Sequence, residues 1–221
     1  MLTEPQDKII DKDRSISLQE YIKKTEVNIW HKMPTKIKEN WESQLNEMRN
    51  YIPKIGVFGK TGAGKSSLCN ALFGQNVCEI SNFGCTKEPK EITLSIGTGG
   101  LKLIDVPGFG ESIEDDKKYH ALYKNLLLEI DLVLWVINAD ERSHPLNEPF
   151  EKTIHHYIDA GKPFLAIVNH VDIINPYREW NVEEIQPGIN QTINIEAKRI
   201  RISELFKIPI NKVIAISAYE Q

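Results

Sequence analysis

The sequence predicts an α/β architecture: a mostly parallel sheet of about six strands with one antiparallel edge strand, helices on both faces, and N-terminal helices before it. Three observations predict it. From Ile52 onward, short continuous apolar runs alternate with stretches at helical spacing, as they do where strands are covered on both faces. One pair of strands is separated by only a glycine-rich turn, Gly97-Thr98-Gly99-Gly100, the mark of a hairpin and hence of an antiparallel edge. Residues 1–50, by contrast, show helical spacing without strand alternation.

In the N-terminal stretch, Leu18, Tyr21 and Ile22 can share one face of a short helix. Ile37, Trp41, Leu45 and Met48 recur at i, i+4, i+8 and i+11 and predict a second, which Pro34 separates from the first. Both are expected to pack on the main domain, with a free-standing partner-binding helix as the alternative. The expected division is a helical extension over 1–50 and a nucleotide-binding domain over 51–221. Residues 55–58 read as a buried strand, followed by a glycine loop and a helix through Leu68 and Leu72. Glu91 to Ile96 and Leu101 to Ile104 are the hairpin strands. A helix over about Tyr119 to Ile130 leads to a strand over 132–137, then a helix from about Glu148 to Ala160 stopped by Gly161. A strand over 164–168, a helix over about Thr192 to Phe206 and a strand over 213–216 complete the pattern. The sequence stops where a last helix would begin, so either the domain continues beyond it or the N-terminal helices cover that flank.

Composition fits a soluble globular chain: 41% hydrophobic and 26% charged residues over 221 positions. A net charge of -4 argues against a dedicated nucleic-acid binder. The three cysteines, Cys69, Cys78 and Cys85, have no metal-ligand partners at suitable spacing, which points to a reducing, cytoplasmic setting. Neither a signal peptide nor a run of about eighteen apolar residues occurs, so no membrane span is expected.

The chemistry is concentrated in four segments and one threonine. Gly59-Lys60-Thr61-Gly62-Ala63-Gly64-Lys65-Ser66 satisfies G-x-x-x-x-G-K-[ST] between a strand and a helix, with Ser67 following. Backbone N–H groups there form an anion nest, completed by the positive end of the helix. Lys65 supplies charge to the β- and γ-phosphates, and the Ser66 hydroxyl ligates Mg²⁺. Asp105-Val106-Pro107-Gly108 ends an apolar strand. There the carboxylate can reach Mg²⁺ and the Gly108 N–H the γ-phosphate. Asn169-His170-Val171-Asp172 also follows a strand. Asp172 can accept from N1–H and the 2-amino group of guanine, whereas adenine would leave it facing a lone pair. Asn169 is expected to brace that loop, and the Ala218 N–H of Ser217-Ala218 to donate to guanine O6. Thr86, between the phosphate loop and the hairpin, can complete the Mg²⁺ shell only when γ-phosphate is present, which makes its loop a switch.

Taken in order, these residues resemble the five motifs of the Era-like branch of the translation-factor-class GTPases, over about Ile52 to Tyr219. Residues 59–73 and 131–137 are more closely similar to the bacterial YfjP/YeeP-type GTPases. The resemblance implies a cytoplasmic, GTP-hydrolysing P-loop NTPase that binds GTP or GDP with Mg²⁺. It also implies possible ribosome or RNA association, by family analogy only; a nucleotide-dependent homodimer is a separate candidate partner. Two departures stand out. His170 stands where the family usually carries a lysine whose stem covers the guanine plane, and Gly62 where potassium-activated relatives carry asparagine, which argues against potassium activation. Separately, Phe109 stands where Ras-type enzymes place the glutamine that orients water. Turnover is therefore expected to be slow alone and accelerated by self-association or by a partner; a nucleotide-sensing module with little hydrolysis and an ATPase that mimics the guanine motifs are the alternatives. Arg142 reads as a solvated loop residue or a finger acting in trans, and residues 111–118 as a mobile switch or a solvated loop. His155 and His156 read as helix-surface residues rather than metal ligands.

Overall fold

A computed structural model describes residues 32–73, 88–96, 99–110, 112–140 and 148–218. The chain divides into two units, Met1–Tyr51 and Ile52–Gln221.

In the first unit the described element is helix α1, Thr35–Asn50. Pro34 starts it, its carbonyl accepting from Ile37 N at 2.9 Å and Lys38 N at 3.1 Å. No residue of α1 is buried, and its stripe of Ile37, Trp41, Leu45 and Met48 is exposed. The candidate helix at Leu18 to Ile22 lies outside the described residues.

The second unit carries, among the described residues, six strands. They are β1 (Lys54–Gly59), β2 (Lys90–Ile96), β3 (Gly99–Asp105), β4 (Leu132–Asn138), β5 (Phe164–Asn169) and β6 (Val213–Ala215). They join in the order β2-β3-β1-β4-β5-β6. Only β2 runs antiparallel, with Lys90 opposite Asp105, and the other neighbours are parallel. The helices are α2 (Lys65–Phe73), α3 (Ile113–Glu129), α4 (Glu148–Asp159) and α5 (Ile189–Phe206). A parallel sheet of this kind gathers the carboxyl ends of its strands at one edge, where the connecting loops make a site. Here Gly59, Asp105, Asn169 and Ala215 all end strands at that edge.

One face of the sheet carries an aromatic core. Phe58, Trp135, Tyr123, Phe109, Phe150 and Phe206 are fully buried, with Phe109 stacked on Phe150 at 4.4 Å between ring centroids. The opposite face packs Val57, Leu103, Leu134, Val136 and Ile167 against Leu68 and Cys69 of α2. On α5, Ile195, Ile202 and Phe206 repeat at i, i+7 and i+11 and supply its buried stripe.

Helix α3 begins at Ile113, six residues earlier than the periodicity of Tyr119 to Ile130 suggests. Residues 113–118 are therefore helix and not the solvated loop that their charge pattern allowed. The reason is local. Ser112 caps the helix, its Oγ accepting from Asp115 N at 3.0 Å and donating to Asp115 Oδ2 at 2.7 Å. Glu114, Asp115 and Asp116 then occupy the first turn, where acidic side chains favour the helix macrodipole. Helix α5 likewise starts at Ile189, three residues before the expected Thr192, because the Glu179 carboxylate accepts from the N–H groups of Asn190 and Gln191. Strand β6 ends at Ala215 and leaves Ile216 in the loop, its N–H bonded to Val168 O at 2.9 Å.

Candidate nucleotide-binding site

The phosphate loop runs from the end of β1 into α2. Lys65, the first residue of α2, is buried, and its Nζ donates to Lys60 O at 3.0 Å, so the ammonium lies across the loop. The Ala63 N–H also donates to Lys60 O, at 3.2 Å. Thr61 and Gly62 are exposed at the tip, while Ser66 and Ser67 sit half-buried on the first turn of α2. Gly64 has φ +87°, and a Cβ built on it would lie 2.2 Å from Asn169 Nδ2 and 2.9 Å from His170 Nε2. A side chain there would strain the left-handed backbone and displace Asn169 or His170.

Ser66 Oγ donates to Asp105 Oδ2 at 2.9 Å. The hydroxyl from α2 and the carboxylate from the end of β3, expected as Mg²⁺ ligands, are thus adjacent, and an oxygen donor set of this kind suits a hard cation. Thr86, the third expected ligand, lies outside the described residues, as do Cys78, Cys85 and Arg142.

The segment 105–109 is buried throughout. A Cβ on Gly108 would come within 2.5 Å of Thr61 Oγ1, 2.6 Å of Thr61 N and 2.7 Å of Lys65 Nζ, so glycine lets this segment close onto the phosphate loop. Phe109 bridges to Lys60 in parallel fashion, its carbonyl accepting from Thr61 N at 3.0 Å, while its ring is wholly inside the aromatic core. Tyr123 OH donates to Pro107 O at 2.7 Å from the same core. Burial raises the Tyr123 phenol pKa, which keeps it a neutral donor. Neither attachment was anticipated. Tyr123 shares an i, i+4, i+8 stripe with Tyr119 and Leu127, which signals burial but not a polar partner.

At the other end of the site, Asn169 is fully buried and joins three segments. Its Nδ2 donates to Ala63 O at 3.1 Å, and its Oδ1 accepts from Ala218 N at 2.9 Å. The Ala218 N–H, expected to face guanine O6, is therefore directed at Asn169, and a base contact would have to share that donor. The Ser217 hydroxyl donates to Asp172 Oδ1 at 2.5 Å, which orients the carboxylate expected to read guanine. Asp172 lies in a short 3-10 turn, Val171–Ile173, entered through His170 at φ 62°, ψ 40°. Histidine is one of the residues that tolerate this left-handed conformation. Its half-buried ring lies against Gly64, and burial lowers its pKa, with Asp172 opposing part of the shift. Gln191 and Glu179, whose side chains hold this turn and the start of α5, follow no motif and were not foreseen.

A phosphate loop after the first sheet strand, with a serine–aspartate pair beside it at the carboxyl edge of a parallel sheet, defines a P-loop nucleotide-binding domain. Residues 54–170 match the family described as 50S ribosome-binding GTPase, and the chain belongs to that family. Among curated relatives, it is 38% identical over 186 residues to the uncharacterized protein YkfA of Escherichia coli (strain K12), covering 84% of this chain. YfjP of the same organism is 37% identical over 190 residues, again covering 84% of this chain. The chain spans 63% of the length of each of these two relatives. Among solved structures, Era in complex with MgGDPNP and a segment of 16S ribosomal RNA superposes with a TM-score of 0.56 at 24% identity, covering 76% of this chain and 52% of that one. Toc33 from Arabidopsis thaliana in complex with Mg²⁺ and GMPPNP gives 0.54 at 19% identity, covering 87% and 82%. These two likenesses show the shared fold.

Proposed function

We propose that this domain is a guanine-nucleotide switch that binds GTP or GDP with Mg²⁺ and hydrolyses GTP to GDP and phosphate, slowly by itself. The observation that carries the reading is the Asn169 hub, which ties the phosphate loop at Ala63 to Ala218, next to the Ser217 whose hydroxyl bonds the Asp172 carboxylate. That linkage makes sense if one ligand spans both ends. Ser66, Asp105 and Thr86 would hold Mg²⁺, which when bound neutralises charge on the β- and γ-phosphates. Lys65 adds a second positive charge, the Gly108 N–H faces the γ-phosphate, and Asp172 accepts from N1–H and the 2-amino group of guanine. Water then attacks the γ-phosphorus in line, and the bond to the bridging oxygen of GDP breaks.

The buried Phe109 favours slow intrinsic turnover, since its ring cannot orient a water molecule. It equally supports the second reading, a nucleotide-sensing module with little hydrolysis. Acceleration by self-association draws support from the chloroplast translocon components atToc33 and psToc159, for whose GTPase activity dimerization is important. RNA or ribosome association draws on the Era complex and the family's description. Among the described residues no helix is long and apolar enough to cross a membrane. A cytoplasmic location remains part of the proposal, resting on the cysteine usage.

The test is displacement of a fluorescent GDP by unlabelled GTP and ATP with Mg²⁺ present. GTP should displace it while ATP fails at about a hundredfold excess; equal displacement by ATP would remove the guanine assignment. Turnover per molecule should rise with protein concentration or with added partner, and fast turnover by dilute monomer would refute the slow-alone reading.

A further inference from the structure

The base-reading turn is held from beneath by a residue outside every motif. Gln191, in the first turn of α5, is fully buried. Its Nε2 lies 2.9 Å from Ile174 O, 3.0 Å from Asp172 O and 3.4 Å from Val171 O. An amide nitrogen has two hydrogens, so the two short contacts are its bonds and the third is a shared, weaker one. The opposite amide orientation would set an oxygen against three carbonyl oxygens, which fixes the assignment. Gln191 Oε1 has no hydrogen-bond partner among the described residues. A buried acceptor left in that condition is costly, so this side chain is held there for what its nitrogen does.

The grip extends along the helix. Asn194 Nδ2 donates to Asn175 O at 2.7 Å, so the carbonyls of Asp172, Ile174 and Asn175 are all gripped from α5. The start of α5 is itself fixed by Glu179, which accepts from Asn190 N at 2.9 Å and Gln191 N at 3.1 Å. Further along, Ile195, Ile202 and Phe206 root α5 in the core. We infer that Gln191 is a positioning residue for guanine recognition, its amide referencing the backbone of the 171–174 turn to the domain core so that the Asp172 carboxylate meets the base edge. Ser217 bonds that carboxylate directly. This inference rests on the reading of Asp172 as the guanine contact.

The test uses the 221-residue chain and compares GDP with inosine diphosphate, which lacks the 2-amino group, as competitors of a fluorescent GDP. A carboxylate in place makes two bonds to guanine and one to hypoxanthine, so its displacement costs GDP more than the inosine nucleotide. Gln191→Met preserves length and removes the donors. It should weaken GDP about tenfold and bring the GDP-to-inosine-diphosphate preference toward unity. General destabilisation would weaken both nucleotides alike. Asp172→Ala is measured in parallel. If it loses the preference while Gln191→Met keeps it, the inference is overturned and the guanine reading stands. If Asp172→Ala itself keeps the preference, the guanine reading falls and the inference with it. Should Gln191→Met not fold, Gln191→Asn, whose amide is one methylene short of the carbonyls, serves the same comparison. It too should lose the preference, and retention of the preference would overturn the inference.

Discussion

Replacing Asn169 by alanine removes a donor and an acceptor from a fully buried position and leaves two backbone groups without their partner. Ala63, whose carbonyl loses the bond from Asn169 Nδ2, is itself only 2% exposed, so water compensates little. Ala218 is half-buried, and its N–H can be partly rehydrated. At about 1–3 kcal/mol for each orphaned buried group, with the second discounted, the perturbation amounts to roughly 2–4 kcal/mol. That energy is divided between folding and nucleotide binding, because the bonds join loops that a ligand would also join. An affinity loss of about thirtyfold corresponds to ~2 kcal/mol, so Asn169→Ala should raise the Kd for GDP by that order and lower the melting temperature of the protein alone. Asn169→Asp should bind no better than alanine, since it keeps the acceptor for Ala218 but sets an oxygen against Ala63 O. Fluorescent-GDP titration together with thermal melts, with and without GDP, measures both parts. A Kd within about twofold of the parent and an unshifted melt would refute the hub reasoning.

Gly108→Ala places a methyl 2.5 Å from Thr61 Oγ1 and 2.6 Å from Thr61 N, an overpacking of about 1–3 kcal/mol that should appear as a lowered urea midpoint. Tyr123→Phe strips Pro107 O of its 2.7 Å donor in the core and should cost about 1–2 kcal/mol in the same assay. The pKa of His170 is lowered from the model-peptide 6.5, so the unfolded chain takes up its proton first as pH falls. Its contribution to stability is complete above about pH 6.5 and declines as pH drops from there toward the lowered folded value. His170→Asn, which also tolerates the left-handed conformation, should flatten that acid limb in melts between about pH 7 and 5. An unchanged limb would show that the imidazole is protonated as readily in the fold as outside it.

The parallel sheet was legible because continuous apolar runs such as Leu132 to Ile137 can only be covered on both faces, and each run ends at a motif. That the phosphate loop, Asp105 and the 169–172 turn meet at one sheet edge was legible because each directly follows an apolar run that reads as a parallel strand. Element starts set by capping were harder to see: Ser112 and Asp115 carry a cap signature that charge alone disguised as loop. Long-range side-chain bonds left no local trace. Gln191 is 19 residues from Asp172, Asn169 is 49 from Ala218 and 106 from Ala63, and Tyr123 is 16 from Pro107. Periodicity reads which face of a helix is buried, but not which single atom on that face matters. The Ala218 N–H illustrates the same limit, since the expected direction, toward a base, ignored the acceptor that Asn169 presents.

The burial of Phe109 has a consequence for how such a domain keeps time. In a molecular clock the pivot and the escapement can be one part or two. Here residue 109 is wholly committed to the pivot: its ring is clamped between Phe150 and Trp135, and its carbonyl is latched to Thr61. On the proposed function, the escapement would then be supplied by another segment or another molecule. Ticking rate and pivot can then vary independently, so a partner could speed or stall the clock without disturbing the mainspring on which the fold depends.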